Sequence, residues 1–243
     1  MEERLDKILL QRGLVSSRVR AEQIIRQVGV KVNGKLVAKT GKKFPVDCEI
    51  DMIAEENPWV SRGAFKLLEA LGEFSPEVND GTFLDIGSST GGFTEVLLHH
   101  GAKKVFAIDV GTNQLHAKLR EDERVVSLEK THVRDLTSKL IPEHCDGCVI
   151  DVSFISLEKV FPFLHPFLKP EAWVIALLKP QFELGKENLG KGGIVKNKHL
   201  YPELIEQIAR TGLLNNLQFV RQITSPILGG DGNEEFLLYF KRI

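Results

Sequence analysis

Residues 82–98 read TFLDIGSSTGGFTEVLL, and this stretch changes character twice along its length. Phe83, Leu84 and Ile86 form a short apolar run of the kind that makes a buried strand. The run breaks into glycines and hydroxyls at Gly87, Ser88, Ser89, Thr90, Gly91 and Gly92, and helical apolar spacing follows from Phe93 to Leu98. A glycine-rich turn between a strand's carboxyl end and a helix N-terminus lets backbone approach a ligand closely, and open α/β sheets bind nucleotide-like ligands there.

Working outward, Lys104 to Asp109 (KVFAID) predicts a second strand ending in an acid. Asp109 lies about 20 residues beyond the first turn, where βαβ units place a ribose-binding carboxylate. Further strands are expected at Val125–Leu128, within Gly147–Ser153 and ending in Asp151, at Trp173–Lys179, at Leu217–Thr224 and at Phe236–Phe240. Helical spacing at Leu200, Leu204, Ile205 and Ile208 predicts a helix over 197–212. Strand and helix alternate throughout 82–212, which predicts an α/β fold with a doubly wound, mostly parallel sheet. The segment 183–196 is rich in Gly and Lys and reads as a loop beside the strand ends that carry Asp151 and Lys179.

The chain of 243 residues has a net charge of -1 and is 42% hydrophobic, enough for one α/β domain with a sizeable core plus a small appendage. The charge is unevenly placed. Residues 1–45 hold eleven Lys or Arg against four acids, an excess of seven, so the remainder carries -8. No run of about 18 apolar residues occurs and the N-terminus is charged, so neither a membrane span nor a secretory signal is expected, and a cytoplasmic location is. Cys48, Cys145 and Cys148 are few and odd in number, which fits a reducing compartment; Cys145 and Cys148 have CxxC spacing but lead into an apolar strand, a structural reading.

In the basic segment, Leu5, Ile8 and Leu9 have helical spacing that Gly13 stops. Ser16 or Ser17 can cap a second helix with Ala21, Ile24, Ile25 and Val28 on one face, ended by Gly29. Asn33-Gly34 between apolar runs is a hairpin signal. RLDKILLQRGLVSSRVRAEQIIRQVGVKVNGKLVAKTGKKF resembles the S-four-type RNA-binding domain over residues 2–53. The resemblance implies a small N-terminal α+β RNA-binding domain at 1–54, with Ser17, Arg18, Arg20, Arg26, Asn33, Gly34 and Lys35 toward RNA. A cluster of Lys and Arg also provides counterion-release affinity for phosphate, although a merely solvated basic face has the same composition.

Residues 55–60 around Pro58 read as a linker to a second domain at 61–243. A helix is expected within 59–71, with Ser61 as N-cap, Phe65, Leu68 and Leu71 on the buried side, and Lys66 at the boundary of that face.

SRGAFKL, DIGSSTGGFT, DVSFISL, LLKPQFE and GNEEFLL resemble, in order, the motifs of the TlyA family of RNA 2′-O-methyltransferases, relatives of the FtsJ methyltransferases, from residue 2 to residue 240. The resemblance implies a Rossmann-like methyltransferase sheet, S-adenosylmethionine as cofactor, ribosomal RNA or ribosomal subunits as partner, a cytidine ribose as target and no metal. It implies a catalytic tetrad of Lys66, Asp151, Lys179 and Glu235, with Glu234 the fallback for the last. It places Gly87, Ser89 and Gly91 around the methionine end of the cofactor, with Asp85 anchoring the turn of that cofactor site and Asp109 on the ribose hydroxyls. His132 stands where Asn or Asp is the usual adenine-edge residue; its ring nitrogen could take the exocyclic amine. A ribose hydroxyl is a poor nucleophile, so a neutral lysine, here Lys179, is expected to remove its proton, with Lys66 as second cation and the carboxylates holding both. Two other readings compete: a membrane-lytic protein, a label this family carries, and a non-catalytic ribosome-assembly factor.

Overall fold

The computed structural model describes residues 2–15, 17–27, 29–52 and 58–243; the side chains of residues 19, 20, 23, 26 and 27 are also left undescribed. The expected cap Ser16, the apolar position Val28, residues 55–57 of the expected linker and the side chains of Arg20 and Arg26 therefore lie outside the described residues. The chain divides into two compact units, Met1–Pro58 and Trp59–Ile243.

The first unit runs β1 (Glu2–Arg4), α1 (Leu5–Gln11), α2 (Arg18–Gln27), β2 (Val30–Val32), β3 (Lys35–Val37), β4 (Lys43–Pro45) and β5 (Ile50–Met52). Leu5, Ile8 and Leu9 of α1 close on Ala21, Ile24 and Ile25 of α2 and on Val30 and Val32. Gly13 and Gly29 take positive φ just beyond the helix ends, and Asn33 and Gly34 both have positive φ in the β2–β3 turn, as a type I′ hairpin demands. Two pairings are not visible in the sequence pattern: β1 with β4, and β5 on the free edge of β2.

The second unit runs α3 (Gly63–Phe74), β6 (Thr82–Ile86), α4 (Gly92–His99), β7 (Lys104–Ile108), α5 (Ala117–Arg120), β8 (Val125–Leu128), β9 (Cys145–Ile150), β10 (Leu168–Leu178), α6 (Pro180–Glu183), α7 (Tyr201–Leu214), β11 (Leu217–Thr224) and β12 (Phe236–Arg242). Its seven-stranded sheet has the order β11-β12-β10-β9-β6-β7-β8. The five strands from β10 to β8 are parallel, and β12 runs antiparallel between β10 and β11. All five residues of β6 are buried: Leu84 and Ile86 enter the apolar layer that holds α7, and Phe83 the opposite one beside α3 and α4. After β6 the chain winds outward through β7 and β8, then returns to place β9 on the other side of β6. That reversal opens a crevice at the carboxyl edge. Trp59 and Val60 pack against the second unit's core, so the end of the expected linker joins that unit.

Helix α3 departs from expectation. Its buried residues are Ala64, Lys66, Leu67, Ala70 and Leu71, while Phe65 is 38% exposed and the N-cap position is Arg62 rather than Ser61. The small side chains Ala64 and Ala70 let the helix lie close to its neighbours: a Cβ on Gly92 would stand 3.1 Å from the Ala64 nitrogen. A phase chosen by the largest apolar residue alone would place Phe65 inside and Lys66 at the edge.

Candidate active site

At the crevice between β6, β7 and β9 lies a cavity of about 380 Å³. Gly87, Ser89, Asp109, His132 and Asp151 line it. Gly87 has φ +83, and a Cβ there would come within 2.4 Å of the Asp151 carbonyl oxygen, so only glycine lets the β6 exit pass this close to the β9 exit. The Ser89 N–H donates to Asp109 Oδ2 at 2.8 Å and the Gly111 N–H to Oδ1 at 2.7 Å. Asp109 thereby ties the first turn to its own loop, with lone pairs left toward the cavity.

Two of the six cofactor candidates do not line this cavity. Gly91 is the N-cap of α4 at φ +96, and a Cβ would overlap Leu119 at 2.3 Å, so its glycine serves packing. Asp85 is fully buried two residues back in β6 and accepts from Thr94 Oγ1 at 2.6 Å, leaving Oδ1 without a partner among the described residues. Burial pushes its pKa up to about 7; the Thr94 bond opposes this, and the carboxylates of Asp151 and Asp109 add to it. His132 lines the cavity, but its Nδ1 accepts the Arg134 N–H at 3.1 Å. In the neutral ring Nε2 then carries the proton and is a donor rather than an acceptor.

The four tetrad candidates form two ion pairs. Lys66 Nζ lies 2.6 Å from Glu235 Oε2, both side chains being almost wholly buried. Lys179 Nζ lies 2.6 Å from Asp151 Oδ1 and donates to Ser153 Oγ at 2.9 Å. The β10–β12 register pairs Leu178 with Phe236, which sets Lys179 beside Glu235 on adjacent strands, and a Cβ on Gly63 of α3 would be 3.8 Å from Asp151 Oδ2. Three strand ends and the first turns of α3 thus converge. Glu234 instead reaches Lys198 at the surface, so the buried partner of Lys66 is Glu235.

Residues 59–242 match the FtsJ-like methyltransferase family, and residues 3–47 match the S4 domain. The chain belongs to the FtsJ-like methyltransferase family. It is 40% identical over 239 residues to the 16S/23S rRNA (cytidine-2′-O)-methyltransferase TlyA of Mycobacterium tuberculosis, across 98% of this chain and 89% of that protein. It is 38% identical over 238 residues to Hemolysin A of Brachyspira hyodysenteriae, across 98% of this chain and 99% of that protein. A solved structure described as a haemolysin of Streptococcus thermophilus superposes with a TM-score of 0.79 at 38% identity, covering 99% of this chain and 88% of that one. Among the described residues, no helix is long and apolar enough to cross a membrane.

In this FtsJ-like unit the sequence reading missed an aromatic pair. Phe154, three residues beyond Asp151, is 90% exposed at the cavity rim, holds φ +64, and lies 4.9 Å from the Phe182 ring. A solvent-facing phenylalanine in left-handed backbone costs stability. The signal was present in DVSFISL as an aromatic three residues after a strand-end acid. In the S4 unit, Arg18 is about half exposed and its Nε lies 2.7 Å from Asp6 Oδ2, while Arg4 Nε holds Oδ1 of the same fully buried carboxylate at 2.9 Å. Lys35 is exposed, and Asn33 is exposed with its Oδ1 accepting the Glu49 N–H.

Proposed function

We propose that this protein transfers a methyl group from S-adenosylmethionine to the ribose 2′-hydroxyl of a cytidine in ribosomal RNA, in the cytoplasm. The observation that carries this reading is the convergence of two lysine–carboxylate pairs on the sheet's switch point, where Asp151 of one pair lines the cavity. The mycobacterial relative's name supports the target class.

The residues fit the cofactor. Asp109 retains acceptor capacity for ribose hydroxyls, His132 offers a donor to a purine ring nitrogen, and the unpartnered Asp85 Oδ1 lies beneath the glycine turn. When bound, the cofactor supplies an electrophilic methyl on a sulfonium. The rest of the chemistry falls to the chain. Lys179 accepts the hydroxyl proton as the oxygen attacks, after giving up its own proton to the Asp151 carboxylate 2.6 Å away, while Ser153 Oγ, 2.9 Å away, fixes the amine by a hydrogen bond. Lys66, held by Glu235, steers the hydroxyl oxygen, and Phe154 offers a ring face on which the target base stacks. The S4 unit supplies RNA affinity through its exposed lysines at 31, 35, 39, 42 and 43.

The test is to incubate ribosomal subunits from a strain deleted for this gene with purified protein and labelled S-adenosylmethionine, then map the methylated riboses. Label at a cytidine 2′-O is expected. Label on a base, or none, would overturn the reading, and leakage of liposomes by both wild type and Lys179→Ala would favour the membrane-lytic alternative.

A further inference from the structure

The segment 185–198 carries Lys186, Lys191, Lys196 and Lys198 against the single acid Glu187. Lys198 is engaged by Glu234; the other three are exposed and form no ion pair among the described residues. The loop is not loose. Leu189 bridges Val195, the Gly190 N–H donates to the Ile194 carbonyl at 2.6 Å, and the Lys196 N–H to that of Asn188 at 2.9 Å. Its attachment to the catalytic rim passes through Asn233, which is 3% exposed. Asn233 Oδ1 accepts the Val195 N–H at 2.9 Å, and its Nδ2 donates to the Gly193 carbonyl at 3.0 Å. Both ends of one amide therefore grip the backbone on either side of Ile194, between Lys191 and Lys196. Two residues later the same strand entry delivers Glu235, buried on Lys66.

We propose that Asn233 is a positioning residue that couples phosphate contacts of RNA at the lysine loop to the placement of Glu235 and Lys66. The proposal rests on the methyltransferase reading above and adds the route by which bound RNA aligns its own site. Phosphates drawn to Lys191 and Lys196 load the turn that Asn233 holds. That load reaches Glu235 through two residues of main chain. A short, fully hydrogen-bonded path of this kind is where coupling between two sites is physically carried.

Amide hydrogen exchange with and without ribosomal subunits from the deletion strain, read beside single-turnover methylation at saturating subunits, tests it. In the wild type, RNA is expected to protect both the 193–196 amides and those of 233–236. In Asn233→Ala, protection should stay in the loop, RNA affinity should hold, and the single-turnover rate should fall about tenfold, within the usual range of site coupling. Asn233→Asp keeps the acceptor for Val195 and removes the donor to Gly193, so an intermediate effect is expected; this variant also serves should the alanine fail to fold. Replacing Lys186, Lys191 and Lys196 by Gln should weaken RNA binding in both backgrounds but lower the saturated rate only where Asn233 is present. S-adenosylhomocysteine affinity should not change in any variant. A normal saturated rate in Asn233→Ala, or RNA protection of 233–236 that survives it, overturns the coupling. If the wild type binds RNA and spreads protection but transfers no methyl, the coupling stands and the proposed reaction falls.

Discussion

At the scale of single residues, chemistry and binding are expected to separate. Lys179→Met keeps the apolar stem but removes the proton acceptor, so turnover should fall by about two to four powers of ten while cofactor affinity holds. Lys179→Arg should be nearly as damaging, since guanidinium cannot take the proton. Single-turnover methylation beside S-adenosylhomocysteine calorimetry on the same preparations checks both; near-normal turnover in Lys179→Arg would make Lys179 an electrostatic support. Asp109→Ala should weaken cofactor binding and recover part of its rate at saturating cofactor, because Asp109 holds the Ser89 and Gly111 amides rather than any tetrad residue. Asp85 adds a pH dependence. Its carboxyl keeps its proton up to about pH 7 when folded and loses it near the ordinary 3.8 when unfolded. Between these values the folded chain binds more protons, so this group lowers stability as pH rises. Asp85→Asn, which still accepts from Thr94, should remove that slope. Unfolding midpoints at pH 5 and pH 8 would test this, and an unchanged pH dependence in the variant would rule it out.

At the scale of elements, the first unit's helices meet around Asp6. Burial raises this carboxyl, but the hydrogen bonds and charges of Arg4 and Arg18 outweigh burial and bring its pKa down to about 2. The stabilisation is fully present above the ordinary 3.8 and is lost as pH falls toward 2. Asp6→Asn should cost the S4 unit about 2 kcal/mol, the scale of hydrogen bonds to a charged group, and erase that acid transition in a thermal melt. For the same reason, reversing Arg18 would disturb folding before it reported on RNA. Exposed hairpin-side lysines are cleaner probes: Lys35→Glu with Lys39→Glu should reduce the salt slope of RNA binding by about two without moving the melting temperature.

At the scale of the whole molecule, each unit has its own apolar core, so residues 59–243 should fold alone and bind S-adenosylhomocysteine like the full chain. The truncated protein should methylate ribosomal subunits poorly, because it lacks the excess positive charge of residues 1–45. Equal methylation by both forms would show that the S4 unit has another task.

Much of this architecture is local and therefore legible in the chain itself. Apolar runs bounded by glycine, the turn at 87–92, the Asn33-Gly34 hairpin and the strand-terminal polar residues Asp109, Asp151 and Lys179 all follow from short-range periodicity and backbone sterics. Motif order likewise selected Lys66 and Glu235, which are 169 positions apart. What the sequence could not determine is where long-range packing chooses among locally equal options. The phase of α3 depends on which of Phe65 and Lys66 finds a partner, and that partner, Glu235, arrives only when antiparallel β12 pairs with β10. Which of Glu234 and Glu235 reaches Lys66, the position of Asp85 and Gly91 outside the cavity, the acceptor role of His132 Nδ1 and the exposure of Phe154 are decided in the same way. Each depends on atoms brought close by the folded sheet, and one-dimensional spacing carries no information about those distances.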